Sequence, residues 1–78
     1  MDVAVIDERL RSAFAGCQLE MASEGDRLDL LLIAADFEGV SKVKRQQMVY
    51  GVLGDLIKSG EIHALSMRVL TPAEQEAS

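Results

Sequence analysis

The stretch that decides the fold is Phe37 to Pro72, and within it Gly60-Glu61-Ile62-His63-Ala64-Leu65-Ser66. Ahead of that segment, Met48/Val49, Val52/Leu53 and Leu56/Ile57 recur every four residues, which predicts a helix from about Lys44 to Lys58. Ser59-Gly60 ends it, glycine being the residue that tolerates the left-handed turn closing a helix. From Ile62 to Leu70 the period changes to two. His63, Leu65, Met67 and Val69 fall on one side of this strand, and Ile62, Ala64, Ser66 and Arg68 on the other. A long helix leading straight into a strand is half of a crossover unit, and it requires a parallel strand upstream.

That strand lies in Leu28 to Ala34, apolar on both parities except for Asp29, as expected of a central strand. Cys17, Leu19 and Met21 alternate with Gln18 and Glu20, which predicts a half-buried strand over 17–21. Ser23-Glu24-Gly25-Asp26 is turn material, so these two strands form an antiparallel hairpin. Val3, Ile6, Leu10, Ala13 and Phe14 mark one face of a first helix over 2–15, with Asp2 as its cap and Gly16 as its stop. Ser41 caps a short turn that leads into the main helix. Gly51 and Gly54 lie inside that helix, at a cost of about 1 kcal/mol each against alanine, and are expected to allow close packing on the sheet. Thr71-Pro72-Ala73-Glu74 starts a last helix, with Glu74 completing a capping box; the tail Gln75 to Ser78 is expected to fray. The reading is an α+β domain filling residues 1–78. Its order is α-β-β-α-α-β-α, with a three-stranded mixed sheet and helices on one face.

Composition narrows the function. The net charge of −5 argues against a protein that coats nucleic acid by neutralising phosphates, and one Tyr, two Phe and no Trp leave few stacking platforms. One cysteine rules out an internal disulfide. With no basic-then-apolar leader and no apolar run able to cross a bilayer, the expected setting is cytoplasmic, away from membranes.

No paired carboxylates, Walker loop or dinucleotide fingerprint is present. Cys17 with His63 reads either as a nucleophile–base pair lacking an orienting third group or, more simply, as a small buried hydrophobe and an unrelated imidazole. His63, the sole histidine, reads either as a satisfied edge residue or as a ligand; one imidazole is an incomplete metal site, so any metal must be shared with a partner. Lys42, Lys44 and Arg45 cluster at the entry to the main helix, where an anion or acidic partner would be favoured. The same cluster also reads as a solvated face offsetting acidic neighbours.

Three separated motifs carry a resemblance. Phe37-Glu38-Gly39-Val40-Ser41-Lys42-Val43-Lys44-Arg45-Gln46-Gln47-Met48-Val49-Tyr50, then Glu61-Ile62-His63-Ala64-Leu65-Ser66, then Leu70-Thr71-Pro72-Ala73-Glu74 resemble the BolA-like proteins, and among them the bacterial IbaG-type branch. The resemblance covers Ile6 to Glu74. It implies a class II KH-like fold, in agreement with the element order. It also implies a partner, monothiol glutaredoxin, and a bridging two-iron, two-sulfur cluster. Glutaredoxin and glutathione would supply thiolates to that cluster, and His63 would supply an imidazole. No cofactor is expected in the isolated chain. Ser41, Lys42, Lys44, Arg45, Ile62 and Ala64 become candidate contacts to a partner or to nucleic acid.

The sequence departs from the family pattern. Many relatives place a second histidine or cysteine in the loop joining the first two strands. Here Ser23 to Leu28 holds neither, and Arg27 stands at that position. The common Trp after Thr-Pro is replaced by Gln75. The KH resemblance carries an alternative, a small DNA-binding regulator using Lys42, Lys44 and Arg45, although Gly39-Val40-Ser41-Lys42 lacks the second glycine of a GxxG loop. A homodimer through the open sheet face is a third reading.

Overall fold

A computed structural model describes residues 1–77. The elements run α1 (Val3–Ala13), β1 (Gln18–Glu24), β2 (Arg27–Ile33), a 3-10 turn (Ala35–Phe37), α2 (Lys42–Ser59), β3 (Ala64–Leu70) and α3 (Pro72–Ala77). The sheet order is β1-β2-β3, antiparallel between β1 and β2 and parallel between β2 and β3, as the sequence predicts. The 3-10 turn takes the place of the first helix of the expected pair.

Register decides which side chains enter the core. Leu19, Leu32 and Val69 form one cross-strand row, and Met21, Leu30 and Met67 the next. Leu28, Leu30 and Leu32 are buried on this side. Ile6, Leu10 and Phe14 from α1 and Val49 and Leu53 from α2 join them in one cluster with Phe37 and Ile62. The Phe14 and Phe37 rings lie 5.0 Å apart, tilted by 47°, a favourable aromatic arrangement. A slip of one residue in β2 would turn all three leucines away from the helices, so the pairing is strongly specified. The opposite sheet face carries Glu20, Arg68, Ala22, Asp29 and Ser66.

Several boundaries differ from the sequence reading, each for a local reason. Asp2 caps α1 as expected, its carboxylate accepting from the N–H groups of Ala4 and Val5 at 3.1 and 3.3 Å. The helix closes at Ala13, two residues early, and Gly16 follows with φ 77°. β1 extends to Glu24 because the hairpin turn is only Gly25-Asp26, with Glu24 paired to Arg27. Gly25 has φ 60° at the first central position, where tight hairpin turns of type II′ place glycine. α2 starts at Lys42, since Ser41 Oγ accepts from Lys44 N–H at 3.3 Å and caps α2 itself.

β3 starts at Ala64 and not at Ile62. The Ile62 N–H turns back to the Leu56 carbonyl at 3.1 Å, so residues 60–62 belong to the closure of α2. The expected close packing at Gly51 and Gly54 is not found: a Cβ at either position would meet no atom within 4 Å beyond the adjoining helix backbone. Residues 75–77, expected in a frayed tail, lie in α3, while Ser78 lies outside the described residues. Among the described residues, no helix is long and apolar enough to cross a membrane.

Candidate functional site

His63 sits one residue before β3 and is exposed. Its position is set by the backbone. The His63 N–H donates to the Asp26 carbonyl at 2.8 Å, and the Ala64 N–H lies 3.4 Å from the same oxygen. The hairpin turn is thereby tied to the end of α2, and the imidazole is held at this rim of the sheet. The residue facing His63 across the strands is Asp26. Arg27, expected at the second-ligand position, pairs instead with Ala64 and lies in the row of the opposite sheet face. Its Nε stands 3.8 Å from an Asp29 carboxylate oxygen. A guanidinium offers no lone pair to a metal, so Arg27 cannot replace a ligand there.

The structure separates other residues that the sequence reading grouped. Cys17 precedes β1 beside Gln18, which pairs with Ile33, whereas His63 precedes Ala64, which pairs with Arg27. They occupy opposite ends of the sheet, eight residue steps or about 26 Å apart at 3.3 Å per residue. Cys17 is buried and His63 exposed. The nucleophile–base pairing is thus removed, and Cys17 serves as a core residue.

Two candidate contacts change role outright. Ile62 is 1% exposed and lies in the core, so its side chain cannot meet a partner. Arg45 is 5% exposed. Its Nε donates to the Val40 carbonyl at 2.8 Å, and its Nη1 donates to the Val69 carbonyl at 3.1 Å. Nη1 and Nη2 also grip both carboxylate oxygens of Glu74 at 2.6 and 3.2 Å. Every face of the guanidinium is engaged inside the fold, because a bidentate carboxylate and two carbonyls satisfy its planar fork. Glu74 in turn accepts from the Thr71 N–H at 2.9 Å, while its own N–H donates to Thr71 Oγ1 at 3.1 Å, completing the predicted capping box. The Arg45 hydrogen bonds, followed by the Thr71 N–H, hold the Glu74 carboxyl well below its ordinary 4.5, at about 2.

The basic cluster is therefore reduced to Lys42 and Lys44, both exposed, with Ser41 spent on the cap. These lysines are also far from His63. They stand at the start of α2 and Gly60 at its end; its 18 residues span about 27 Å. The structure instead brings Lys42 near Arg68, which sequence reasoning did not single out as a site residue. Both line a groove with Gln46, Met67, Val69 and Leu70. The only signal for Arg68 was its parity on β3, which put it opposite the core.

Among the described residues, no group of three or more His, Cys, Asp or Glu side chains is placed to hold a metal ion. The His63 rim fits a cluster only as the donor of one ligand, with the others coming from a partner.

Comparison with known proteins gives concordant results. The family model for BolA-like protein matches residues 2–74. The acid stress protein IbaG of Escherichia coli K12 is 35% identical over 69 residues, covering 88% of this chain and 82% of its own. The BolA domain of SufE1 from Arabidopsis thaliana superposes with a TM-score of 0.83 at 34% identity, covering 91% of this chain and 92% of that one. A bolA protein homologue from Coxiella burnetii gives a TM-score of 0.81 at 26% identity over 97% of both chains.

Proposed function

Because the chain belongs to the BolA-like family, we propose that it is an adaptor that binds a monothiol glutaredoxin and shares an iron–sulfur cluster with it. Members of this family are not enzymes, in keeping with the separation of Cys17 from His63. The observation that carries the proposal is the placement of His63. The sole histidine of the chain is exposed on a rim fixed by two backbone hydrogen bonds to Asp26. A ligand shared between two proteins needs this combination of accessibility and a fixed main chain. The cluster is the cargo. Glutaredoxin and glutathione supply thiolates, and imidazole replacing a thiolate makes the cluster less negative and raises its potential.

Ala64, beside His63, extends the proposed contact, as does the hairpin turn. Arg27 contributes charge there and no ligand. The test is anaerobic reconstitution with a monothiol glutaredoxin and glutathione, read by visible absorption and circular dichroism. A heterocomplex whose spectrum differs from that of glutaredoxin alone, and which His63→Ala abolishes, is the expected result. An unchanged spectrum in the His63→Ala complex would remove the ligand role. A colourless complex would leave partner binding and remove the cluster.

A further inference from the structure

Four of the eight lysines and arginines form ion pairs: Arg9, Arg11, Arg27 and Arg45. Among the described residues, Lys42, Lys44, Lys58 and Arg68 form none. Two of these four, Lys42 and Arg68, line one groove of about 260 Å³ between the start of α2 and β3. Concentrating unpaired cations there runs against the sign of a chain whose net charge is −5. Met67, Val69 and Leu70 supply apolar lining, and Gln46 a side-chain amide.

The groove also follows an open strand edge. Among the described residues, β3 pairs only with β2. In a parallel pair, alternate residues turn both backbone groups toward the neighbour. The Leu70 carbonyl faces β2's side and accepts from the Ala34 N–H at 3.0 Å, so Arg68 faces the same way and Met67 and Val69 face outward. Arg45 occupies the outward Val69 carbonyl. Among the described residues, the outward N–H and C=O of Met67 have no hydrogen-bond partner.

We infer that this groove is a docking site for an extended acidic peptide segment of a partner protein. The segment lies along β3 and pairs with Met67 as an added strand. Side chains of an added strand alternate between faces, so its carboxylates lie on the open face beside Arg68 and its apolar side chains on the helix side against Met67, with Lys42 adding positive charge at the end of the groove. Strand addition takes its grip from main-chain hydrogen bonds and its selectivity from alternate side chains. A lining that mixes cations with the apolar side chain of Met67 favours a peptide over a bare anion, and complementary charge sets the register. The site is separate from the His63 rim, so it stands whether or not a cluster is bound there.

The experiment titrates the full ¹⁵N-labelled chain with the peptide Asp-Leu-Glu-Val-Glu-Leu. The expected result is saturable shifts of the Lys42, Gln46, Met67 and Arg68 amides with His63 unmoved. A fluorescein-labelled copy should lose affinity by about tenfold or more with Lys42→Glu/Arg68→Glu, and again as salt rises from low to physiological strength. Both residues are exposed, and the amide spectrum of the variant verifies that its fold is intact. Equal binding of the Asn/Gln version of the peptide would overturn the proposal. So would the same shifts produced by inorganic phosphate alone, tighter binding of a single-stranded oligonucleotide to these amides, or self-association of the chain through them.

Discussion

Arg45 shows how one residue can be misread from spacing alone. Between Lys44 and Gln46, at the entry to a helix, it reads as part of a basic patch. The partner that claims it, Glu74, is 29 positions away. No local pattern could reveal that pairing, whereas the Thr71–Glu74 capping box, whose partners stand three positions apart, is legible at once. The guanidinium joins the loop before α2, the end of β3 and the start of α3. Arg45→Met keeps most of the volume and strands the buried Val69 carbonyl and the part-buried Val40 carbonyl, while the half-exposed Glu74 carboxylate turns to water. It should cost about 2–4 kcal/mol in urea unfolding, since each unsatisfied buried group costs about 1–3 kcal/mol. Arg45→Lys should recover only part, lacking the planar fork. The pH dependence follows in sign. Glu74 is held at about 2 in the fold against an ordinary 4.5. Its stabilising contribution is complete above pH 4.5 and fades as pH falls through about 2. A carboxyl-carbon NMR titration should show the Glu74 midpoint near 2 and, in Arg45→Met, a midpoint shifted upward. An ordinary midpoint in the unmodified chain would contradict the bidentate pairing.

Among the elements, α2 was the most legible and also carried the least necessary sequence. Its four-residue recurrence placed Val49 and Leu53 in the core, where they are fully buried. The same recurrence says nothing about why glycines interrupt it. At Gly51 and Gly54 a methyl group meets open space and φ is ordinary. Gly51→Ala and Gly54→Ala should therefore each stabilise the chain by about 0.5–1 kcal/mol, read as a raised urea midpoint at unchanged slope. Gly60 behaves oppositely despite equally open space. Its φ of 86° is left-handed, so Gly60→Ala should destabilise by about 1–2 kcal/mol. Strand ends were harder to read than this helix. The period-two pattern of β3 continues through Ile62, but its N–H is drawn to the Leu56 carbonyl, a competition between helix closure and sheet ladder that periodicity cannot see. In the same way, Ser23 and Glu24 have turn chemistry and nevertheless pair in β1, because Gly25-Asp26 suffices to reverse the chain.

For the whole molecule the consequential feature is the length of α2. In the sequence, Lys42, Lys44, Arg45, Ile62 and Ala64 all read as candidate contacts to a partner, because spacing along the chain does not show where the 18 residues of α2 place its two ends. Laid out, those residues hold the two about 27 Å apart. Arg68 is nearer to His63, five residues along β3 or about 17 Å, and both distances exceed the Debye length of about 8 Å at physiological ionic strength at least twofold. Charge at the Lys42–Arg68 groove is therefore screened from a ligand at the His63 rim. Residues so far apart with no shared partner have effects that add to within about 0.5 kcal/mol, a factor of roughly two in affinity. The prediction is a double-mutant cycle measured on the full chain with glutaredoxin. Lys42→Glu/Arg68→Glu should leave the dissociation constant and cluster spectrum of the complex unchanged within about twofold, in both the parent and the His63→Ala background. His63→Ala should leave acidic-peptide affinity unchanged within the same margin. If both proposals hold, two independent ends would let one small chain hold a glutaredoxin at one end and an acidic partner at the other. A coupling larger than about 1 kcal/mol between the two pairs of substitutions would mean that glutaredoxin wraps the full length of α2, and the two ends would have to be treated as one interface.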